Sequence, residues 1–273
     1  MVMIAATLAN GRSIAFEIDT RAEGHAYFLF SIRKCGSSVF NSMAHALAVA
    51  NRRNFVNVGG TFFNSNVLAR DYVNDSGVLS ILHAGNVYGG FRDMPGILRT
   101  SDLFRQSPKL LMVRDPRDAL VSQYFSNAYS HPIPETTGDN VQVVELMQRQ
   151  RAEALAMGVE TYVISHARGM KRTMMAYRRV AADPSTTILK YEEYIFDKPA
   201  LMRIVCERIG WQIDEALIGE IMTWADVRPG QEAPTAFIRK VTPGDHREKL
   251  SAEAVENINA VLAPAMDLFG YGR

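Results

Sequence analysis

Short hydrophobic segments alternate with helical patterns along the chain. The residues from Ala26 to Ile32 read AYFLFSI, which is typical of a buried strand, and small polar residues follow directly. Beyond them, apolar residues recur at helical spacing as far as Ala50. This order of strand, turn and helix is typical of the opening unit of a nucleotide-binding α/β fold.

The rest of the chain continues the alternation. The predicted strands are Phe55–Val58, Val78–Leu82, Lys109–Val113 and Thr186–Leu189, and the predicted helices are Pro116–Tyr129, Val141–Met157, Glu160–Val180 and Ser251–Leu268. Strands that alternate with helices predict a three-layer αβα fold around a central parallel sheet. We expect a single domain over residues 1–273. A mainly helical insertion around residues 130–182 is interpreted either as a lid or acceptor-recognition element, or as packing alone.

Composition and charge exclude several classes of protein. The 273 residues carry 30 Lys and Arg against 29 Asp and Glu, and this near balance argues against non-specific binding of nucleic acid. The N-terminal apolar run lacks a basic leader, and nowhere do 18 apolar residues follow one another, so we expect a cytoplasmic protein without a membrane span. Cys35 and Cys206 cannot form a disulfide framework and lack the paired spacing of a zinc site.

The turn after the first predicted strand reads Lys34-Cys35-Gly36-Ser37-Ser38. A turn that leads into a helix exposes backbone N–H groups at the positive end of the helix dipole, which favours anion binding. Gly36 allows close approach of the backbone, while the two serines add hydroxyl donors and the lysine adds a positive charge. The lysine precedes the glycine by two positions, so the Walker pattern is absent, and this disfavours a nucleoside-triphosphate hydrolase.

Three segments together resemble the motifs of sulfotransferases of the cytosolic and bacterial type. The turn is similar to the 5′-phosphosulfate loop P-K-x-G-T-T-W, with Arg33 in place of the proline. The segment Val113–Tyr124 (VRDPRDALVSQY) resembles the 3′-phosphate motif, and Ile238–Arg247 (IRKVTPGDHR) resembles R-K-G-x-x-G-D-W-K. The resemblance runs from about Ala26 to the C-terminus and implies the P-loop-kinase-like sulfotransferase fold.

The donor implied by this resemblance is 3′-phosphoadenosine 5′-phosphosulfate (PAPS), which has two separate anionic ends. The residues that the resemblance assigns to its 5′ end are Arg33, Lys34, Cys35, Gly36, Ser37 and Ser38. Those assigned to the 3′ phosphate are Arg114, Ser122, Arg239 and Lys240, and the adenine would stack on Tyr191 and Trp224. Local positive charge would then suffice for an anionic ligand, although the chain as a whole is nearly neutral.

The resemblance also implies the catalytic groups. Lys34 would stabilise the bridge oxygen of the donor, and we expect no metal requirement. In one branch of the family a histidine at the end of the strand before the 3′-phosphate motif removes the acceptor proton. His83 follows the predicted strand Val78–Leu82 and is our candidate for this base, with His45 a weaker one. The acceptor is expected to be a hydroxyl or amine of a small molecule, lipid or glycan, and the oligomeric state is left open.

Two other functions are compatible with the same architecture. A nucleotide or sugar kinase would need ATP, and the missing Walker lysine counts against it. A non-catalytic nucleotide-binding module would have kept the donor pocket and lost transfer. The presence of both Lys34 and His83 counts against that second alternative.

Overall fold

The computed structural model describes residues 1–137 and 140–272. Within these residues the strands are β1 (Val2–Thr7), β2 (Ser13–Ile18), β3 (Tyr27–Ser31), β4 (Phe55–Asn57), β5 (Val87–Phe91), β6 (Lys109–Val113) and β7 (Thr186–Lys190). The α-helices are α1 (Ser37–Ala50), α2 (Val58–Asn64), α3 (Ala69–Tyr72), α4 (Asp102–Gln106), α5 (Pro116–Phe125), α6 (Val141–Ala176), α7 (Arg178–Ala181), α8 (Tyr191–Tyr194), α9 (Lys198–Ile209), α10 (Glu215–Ala225), α11 (His246–Lys249) and α12 (Ala252–Phe269). Two short 3₁₀ helices lie at Ser76–Ile81 and Gly96–Thr100, and a π-helical turn lies at Ser126–Ser130.

A five-stranded sheet with the order β4-β5-β3-β6-β7 forms the centre of the molecule, and all its strand pairs are parallel. Every side chain of β5 and β6 is buried, because helices flank the sheet. Helices α1, α9 and α10 pack together in one group, and α5, α6 and α12 in another. This architecture confirms the predicted α/β fold with a central parallel sheet. The carboxyl ends of β3, β5 and β6 meet at one edge, so the loops that follow them are neighbours.

Several predicted elements agree closely with the structure. The strands β3, β4, β6 and β7 lie within one or two residues of their predicted bounds. The helices predicted on either side of residue 158 are the two parts of α6, which is interrupted at Gly158 by a non-helical φ of 70°. The predicted helix at Ser251–Leu268 is α12, and the hydroxyl of Ser251 caps it by accepting a hydrogen bond from the N–H of Ala254 at 3.2 Å.

The prediction of a strand at Val78–Leu82 is wrong, because this segment is a 3₁₀ helix that ends at Ile81. Its two buried residues, Val78 and Ile81, are three positions apart, which is the repeat of a 3₁₀ helix. The hydroxyl of Ser80 also donates to the carbonyl of Ala5 in β1 at 2.9 Å. A short apolar run alone does not distinguish these conformations.

The strand that the sequence analysis missed at this point is β5. Its two central residues, Gly89 and Gly90, are disfavoured in strands and so conceal it. Both glycines are required by close packing. A Cβ on Gly89 would lie 2.4 Å from the ring of Phe55, and Gly90 has a φ of 79°. The hairpin of β1 and β2, a separate antiparallel sheet, was also not predicted.

The predicted insertion at 130–182 is largely α6, which packs against α5 and α12. Positions 138 and 139 of this predicted insertion lie outside the described residues. The preceding helix differs from the prediction, since α5 ends at Phe125 and the chain continues through the π-helical turn. Among residues 1–137 and 140–272, no helix combines the length and the apolar character that crossing a bilayer requires.

Candidate active site

The loop between β3 and α1 is wound tightly around Gly36, which caps α1 in a left-handed conformation with φ 78° and ψ 23°. A Cβ at this position would lie 3.3 Å from the ring of Tyr191, so glycine allows both the turn and the close approach. The N–H and the thiol of Cys35 both donate to the carbonyl of Ile32, at 3.2 and 2.6 Å. The first turn of α1 contains no acidic residue, so its unpaired N–H groups keep their attraction for an anion.

Lys34 is the charged residue of this loop, and its surroundings destabilise its positive charge. Burial lowers the pKa of Lys34 to about 8, and the neighbouring charges of Arg92, Arg114 and Arg239 lower it further in the same direction. Within the described part of the chain, no carboxylate forms an ion pair with Lys34. A cation that is surrounded by other cations and lacks a carboxylate partner indicates a site for an external anion.

Arg114 is the first residue after β6 and is only 6% exposed. Its Nη1 donates to the carbonyl of Lys34 at 3.2 Å, and its guanidinium lies 4.2 Å from the ring centroid of Tyr191. Its Nη2 is 3.9 Å from Asp118, and its buried Nε has no hydrogen-bond partner among the described residues. An unpaired donor of a buried guanidinium is costly unless a ligand satisfies it. Arg114 therefore stabilises the loop after β3 through its bond to Lys34, and its Nε is left to donate to a ligand.

Asp118 on α5 holds the C-terminal motif in place. Its carboxylate accepts hydrogen bonds from the N–H of Gly244 at 2.6 Å, the N–H of His246 at 3.0 Å and Nδ1 of His246 at 2.6 Å. Burial acts to raise the pKa of Asp118, but the bonds from His246 and the charge of Arg114 outweigh it and lower the pKa to about 2. This contact brings the segment that contains Arg239 to the same side of the molecule as Arg114.

The two basic residues of that motif already have acidic partners. Arg239 is buried, forms ion pairs with Glu232 and Asp245, and lies with its guanidinium 4.0 Å from the ring centroid of Phe125. Lys240 lies 3.1 Å from Asp245 and 2.6 Å from a carboxylate oxygen of Glu248. These cations therefore differ from Lys34, because carboxylates within the protein compensate their charge.

The other predicted donor-binding residues have different surroundings. Arg33 forms an ion pair with Asp93 at 2.5 Å. Ser37 is buried, Ser38 is exposed and Ser122 is half-buried, and none of their hydroxyls has a hydrogen-bond partner in the part of the chain that the structure describes. Trp224 lies near the end of α10 and is 43% exposed.

Tyr191 is buried between the loop after β3, Arg114 and the C-terminal segment. The ring is 6% exposed, Arg114 covers one face, and the hydroxyl donates to the carbonyl of Val241 at 2.8 Å. Burial raises the pKa of the phenol, so it remains a neutral donor. Tyr191 thus connects the loop, the guanidinium and the C-terminal segment. This placement leaves little of the ring surface for an adenine.

The structure does not bring His83 to this group. His83 precedes β5, and the N-terminal residue of β5, Val87, pairs with Tyr27 at the amino end of β3. Lys34 follows the carboxyl end of β3, and the five residues of β3 at about 3.3 Å each separate the two edges by about 16 Å. The expectation that His83 ends a strand is wrong, since a 3₁₀ helix precedes His83 and the strand between His83 and β6 is β5.

Two residues of the site were missed by the sequence analysis. Arg92 follows β5 directly; it has an exposed surface, yet burial and the charge of Arg33 lower its pKa. His131 follows the π-helical turn, and its ring lies beside that of Phe237, with the centroids 6.3 Å apart. A correct placement of β5 would have indicated Arg92. No pattern indicates His131, because the irregular turn before it sets its position.

Comparisons with known proteins show the family and the fold of the chain. A family model described as "Sulfotransferase domain" matches residues 25–270. The mouse sulfotransferase SULT7A1 complexed with PAP is similar in structure, with a TM-score of 0.56 and 12% identity, over 93% of this chain and 92% of that chain. A sulfotransferase from Alicyclobacillus acidocaldarius gives a TM-score of 0.45 and 16% identity, over 92% and 98% of the two chains. No curated protein sequence matches the chain. The likeness to the mouse structure is one of fold.

Proposed function

Because the chain belongs to the sulfotransferase domain family, we propose that this enzyme transfers a sulfuryl group from PAPS to a hydroxyl or amine of a small-molecule, lipid or glycan acceptor. The observation that carries the proposal is the contact of two cationic residues at the N-terminus of α1: Lys34, which has no carboxylate partner among the described residues, and Arg114, whose buried Nε has no hydrogen-bond partner there. We assign Lys34 to the 5′ end of the donor and Arg114 to its 3′ phosphate.

The 5′ end of the donor fits the loop after β3. Lys34, the first N–H groups of α1 and the hydroxyls of Ser37 and Ser38 would bind it, since all are donors and no acidic residue lies in that turn. Gly36 supports the fit because the backbone there has no side chain to obstruct an anion. Arg33 is paired with Asp93, so its contribution would be indirect.

The 3′ phosphate fits the group around Arg114. The unpaired Nε of Arg114 and the free hydroxyl of Ser122, two helical turns further along, would donate to it. Arg239 and Lys240 would join by exchanging carboxylate contacts for phosphate contacts. Trp224, which is the exposed ring, is the proposed stacking residue for the adenine.

The chemistry of transfer depends on charge stabilisation. The donor supplies an activated sulfuryl group when it is bound. Lys34 would stabilise the negative charge that develops on the departing bridge oxygen, and its lowered pKa reflects an environment in which an added anion is favourable. The position of His83 at the opposite edge of the sheet gives no support to its role as the base.

Titration calorimetry with adenosine 3′,5′-bisphosphate (PAP) tests the donor site. Wild-type protein should bind PAP, and Arg114→Ala should weaken binding about 10- to 100-fold, since hydrogen bonds to charged groups contribute about 1.5–3 kcal/mol. Arg105→Ala is the matched control, because Arg105 is exposed on α4 and, among the described residues, forms an ion pair with Asp102 alone. Its affinity should equal that of the wild type.

Transfer of labelled sulfate from PAPS to a panel of phenols, aliphatic alcohols and amines tests the reaction, with Lys34→Ala as the inactive control. A protein that binds ATP with magnesium but not PAP would be a kinase, contrary to our proposal. A protein that binds PAP and transfers no label to any acceptor would be a nucleotide-binding module without catalysis.

A further inference from the structure

His131 is a histidine with free ring nitrogens beside the candidate active site. Its backbone is held at both ends, since its N–H donates to the carbonyl of Ser126 at 2.9 Å and its carbonyl accepts from Nη2 of Arg151 at 2.5 Å. The imidazole is partly exposed and lies beside the ring of Phe237, at an interplanar angle of 28°. Neither ring nitrogen has a hydrogen-bond partner within residues 1–137 and 140–272.

The charged groups that act on this imidazole come from three different elements and are all positive. They are Lys34 after β3, Arg92 after β5 and Arg151 on α6, while the C-terminal segment contributes the uncharged ring of Phe237. Burial and these charges lower the pKa of His131 below its usual 6.5. The imidazole is therefore neutral at neutral pH, with a lone pair available to accept a proton.

We propose that His131 is the catalytic base that takes the proton of the acceptor, an inference that rests on the proposed function. The acceptor oxygen forms a bond to sulfur while its proton passes to a ring nitrogen of His131. The bond between sulfur and the bridge oxygen breaks, and its electron pair stays on the 5′-phosphate oxygen of PAP beside Lys34. The imidazolium then returns its proton to water, so no further reactant is needed.

The other acid–base groups near the site are less suited to this step. His83 lies at the opposite edge of the sheet, and the length of β3, about 16 Å, separates the two edges. Asp93 follows β5, but its carboxylate is paired with Arg33 at 2.5 Å. His131 combines a ring contact with Phe237, two residues before Arg239, a partly exposed surface and ring nitrogens that have no hydrogen-bond partner among the described residues.

Proton NMR of the histidine rings tests the position of His131 without any acceptor. The His131 signal is identified by its loss in His131→Gln. We expect it to titrate below pH 6.5 in the free protein and to shift to higher pH on addition of PAP, because bound phosphate offsets the charge of Lys34. The signal of His83, identified with His83→Gln, should not respond. A His131 signal that ignores bound PAP would overturn the inference.

Transfer kinetics test the role itself, with the same panel of phenols, alcohols and amines. His131→Gln should lower kcat by roughly 10²–10⁴-fold while the affinity for PAP stays within about twofold, and His83→Gln should retain wild-type kcat. The acidic limb of the pH profile of kcat should disappear in His131→Gln. Unchanged turnover in that variant, with PAP bound normally, would refute His131 as the base and leave the proposed function standing. Failure of the wild type to bind PAP would overturn both.

Discussion

Replacing Asp118 with asparagine should release the C-terminal motif from α5. The carboxylate is 1% exposed and accepts three hydrogen bonds from Gly244 and His246. Its pKa is lowered from 3.8 to about 2 although burial opposes ionisation. Because one pKa unit corresponds to about 1.36 kcal/mol, the ionised carboxylate stabilises the fold by about 2 kcal/mol at neutral pH. Asp118→Asn should lower the free energy of unfolding by about that amount.

The pH dependence of this loss has a defined sign. The pKa of Asp118 is lower in the folded protein than in the unfolded chain, so its contribution is complete above about pH 4 and is lost as the pH falls towards 2. The difference between wild type and Asp118→Asn should therefore be largest at neutral pH and should shrink on acidification across this window. Neutral asparagine does not titrate, so the variant should lack this part of the acid destabilisation.

Urea denaturation followed by tryptophan fluorescence, at pH 7 and at several lower pH values, measures both effects. Asp102→Asn is the matched control, because Asp102 is exposed and its ion pair with Arg105 is worth at most about 1 kcal/mol. The affinity for PAP should also fall in Asp118→Asn, since Arg239 belongs to the released segment. If the stability of Asp118→Asn stays within about 0.5 kcal/mol of the control, the carboxylate does not hold the segment as argued.

Three further predictions concern separate features. The affinity for PAP should decrease above pH 8, because the pKa of Lys34 is about 8, while Lys34→Arg should keep its affinity to higher pH. A flat wild-type profile in calorimetry from pH 7 to 9.5 would contradict this. Gly90→Ala should destabilise the fold in urea denaturation, since Gly90 has a positive φ and a Cβ there would lie 2.1 Å from the side-chain amide oxygen of Asn57. Gly169→Ala should not, because the space around Gly169 is open, and equal stabilities of the two variants would refute the packing argument. Iodoacetamide should alkylate Cys35 far more slowly in the native protein than in urea, because Cys35 is 1% exposed and burial raises the pKa of its thiol. Equal rates of alkylation, measured by mass spectrometry, would be evidence against that burial.

The sequence determined the parts of the fold that depend on local pattern. The apolar runs of β3, β6 and β7 and the glycine break in α6 are confirmed, because buried parallel strands and helix interruptions leave signals within a few residues. The loop after β3 was recognisable from the chemistry of anion binding, and the segment Val113–Tyr124 was recognisable from its resemblance to the 3′-phosphate motif of sulfotransferases. The assignment to the sulfotransferase family followed from three such segments and is confirmed by the family match.

Tertiary structure alone decided which of these residues meet. The run at Val78–Leu82 has the apolar content of a strand but packs as a 3₁₀ helix, and the true strand β5 is hidden by glycines that close neighbours require. Because β5 and not Val78–Leu82 is the strand, His83 lies at the opposite edge of the sheet and Arg92 lies at the candidate active site.

The position of His131 likewise depends on the π-helical turn before it and on contacts with Arg151 and Phe237, which come from distant parts of the chain. Local patterns specify the conformation of a segment, because backbone sterics and side-chain periodicity act over a few residues. The charge around a group depends instead on packing between distant segments, and only the folded chain determines it.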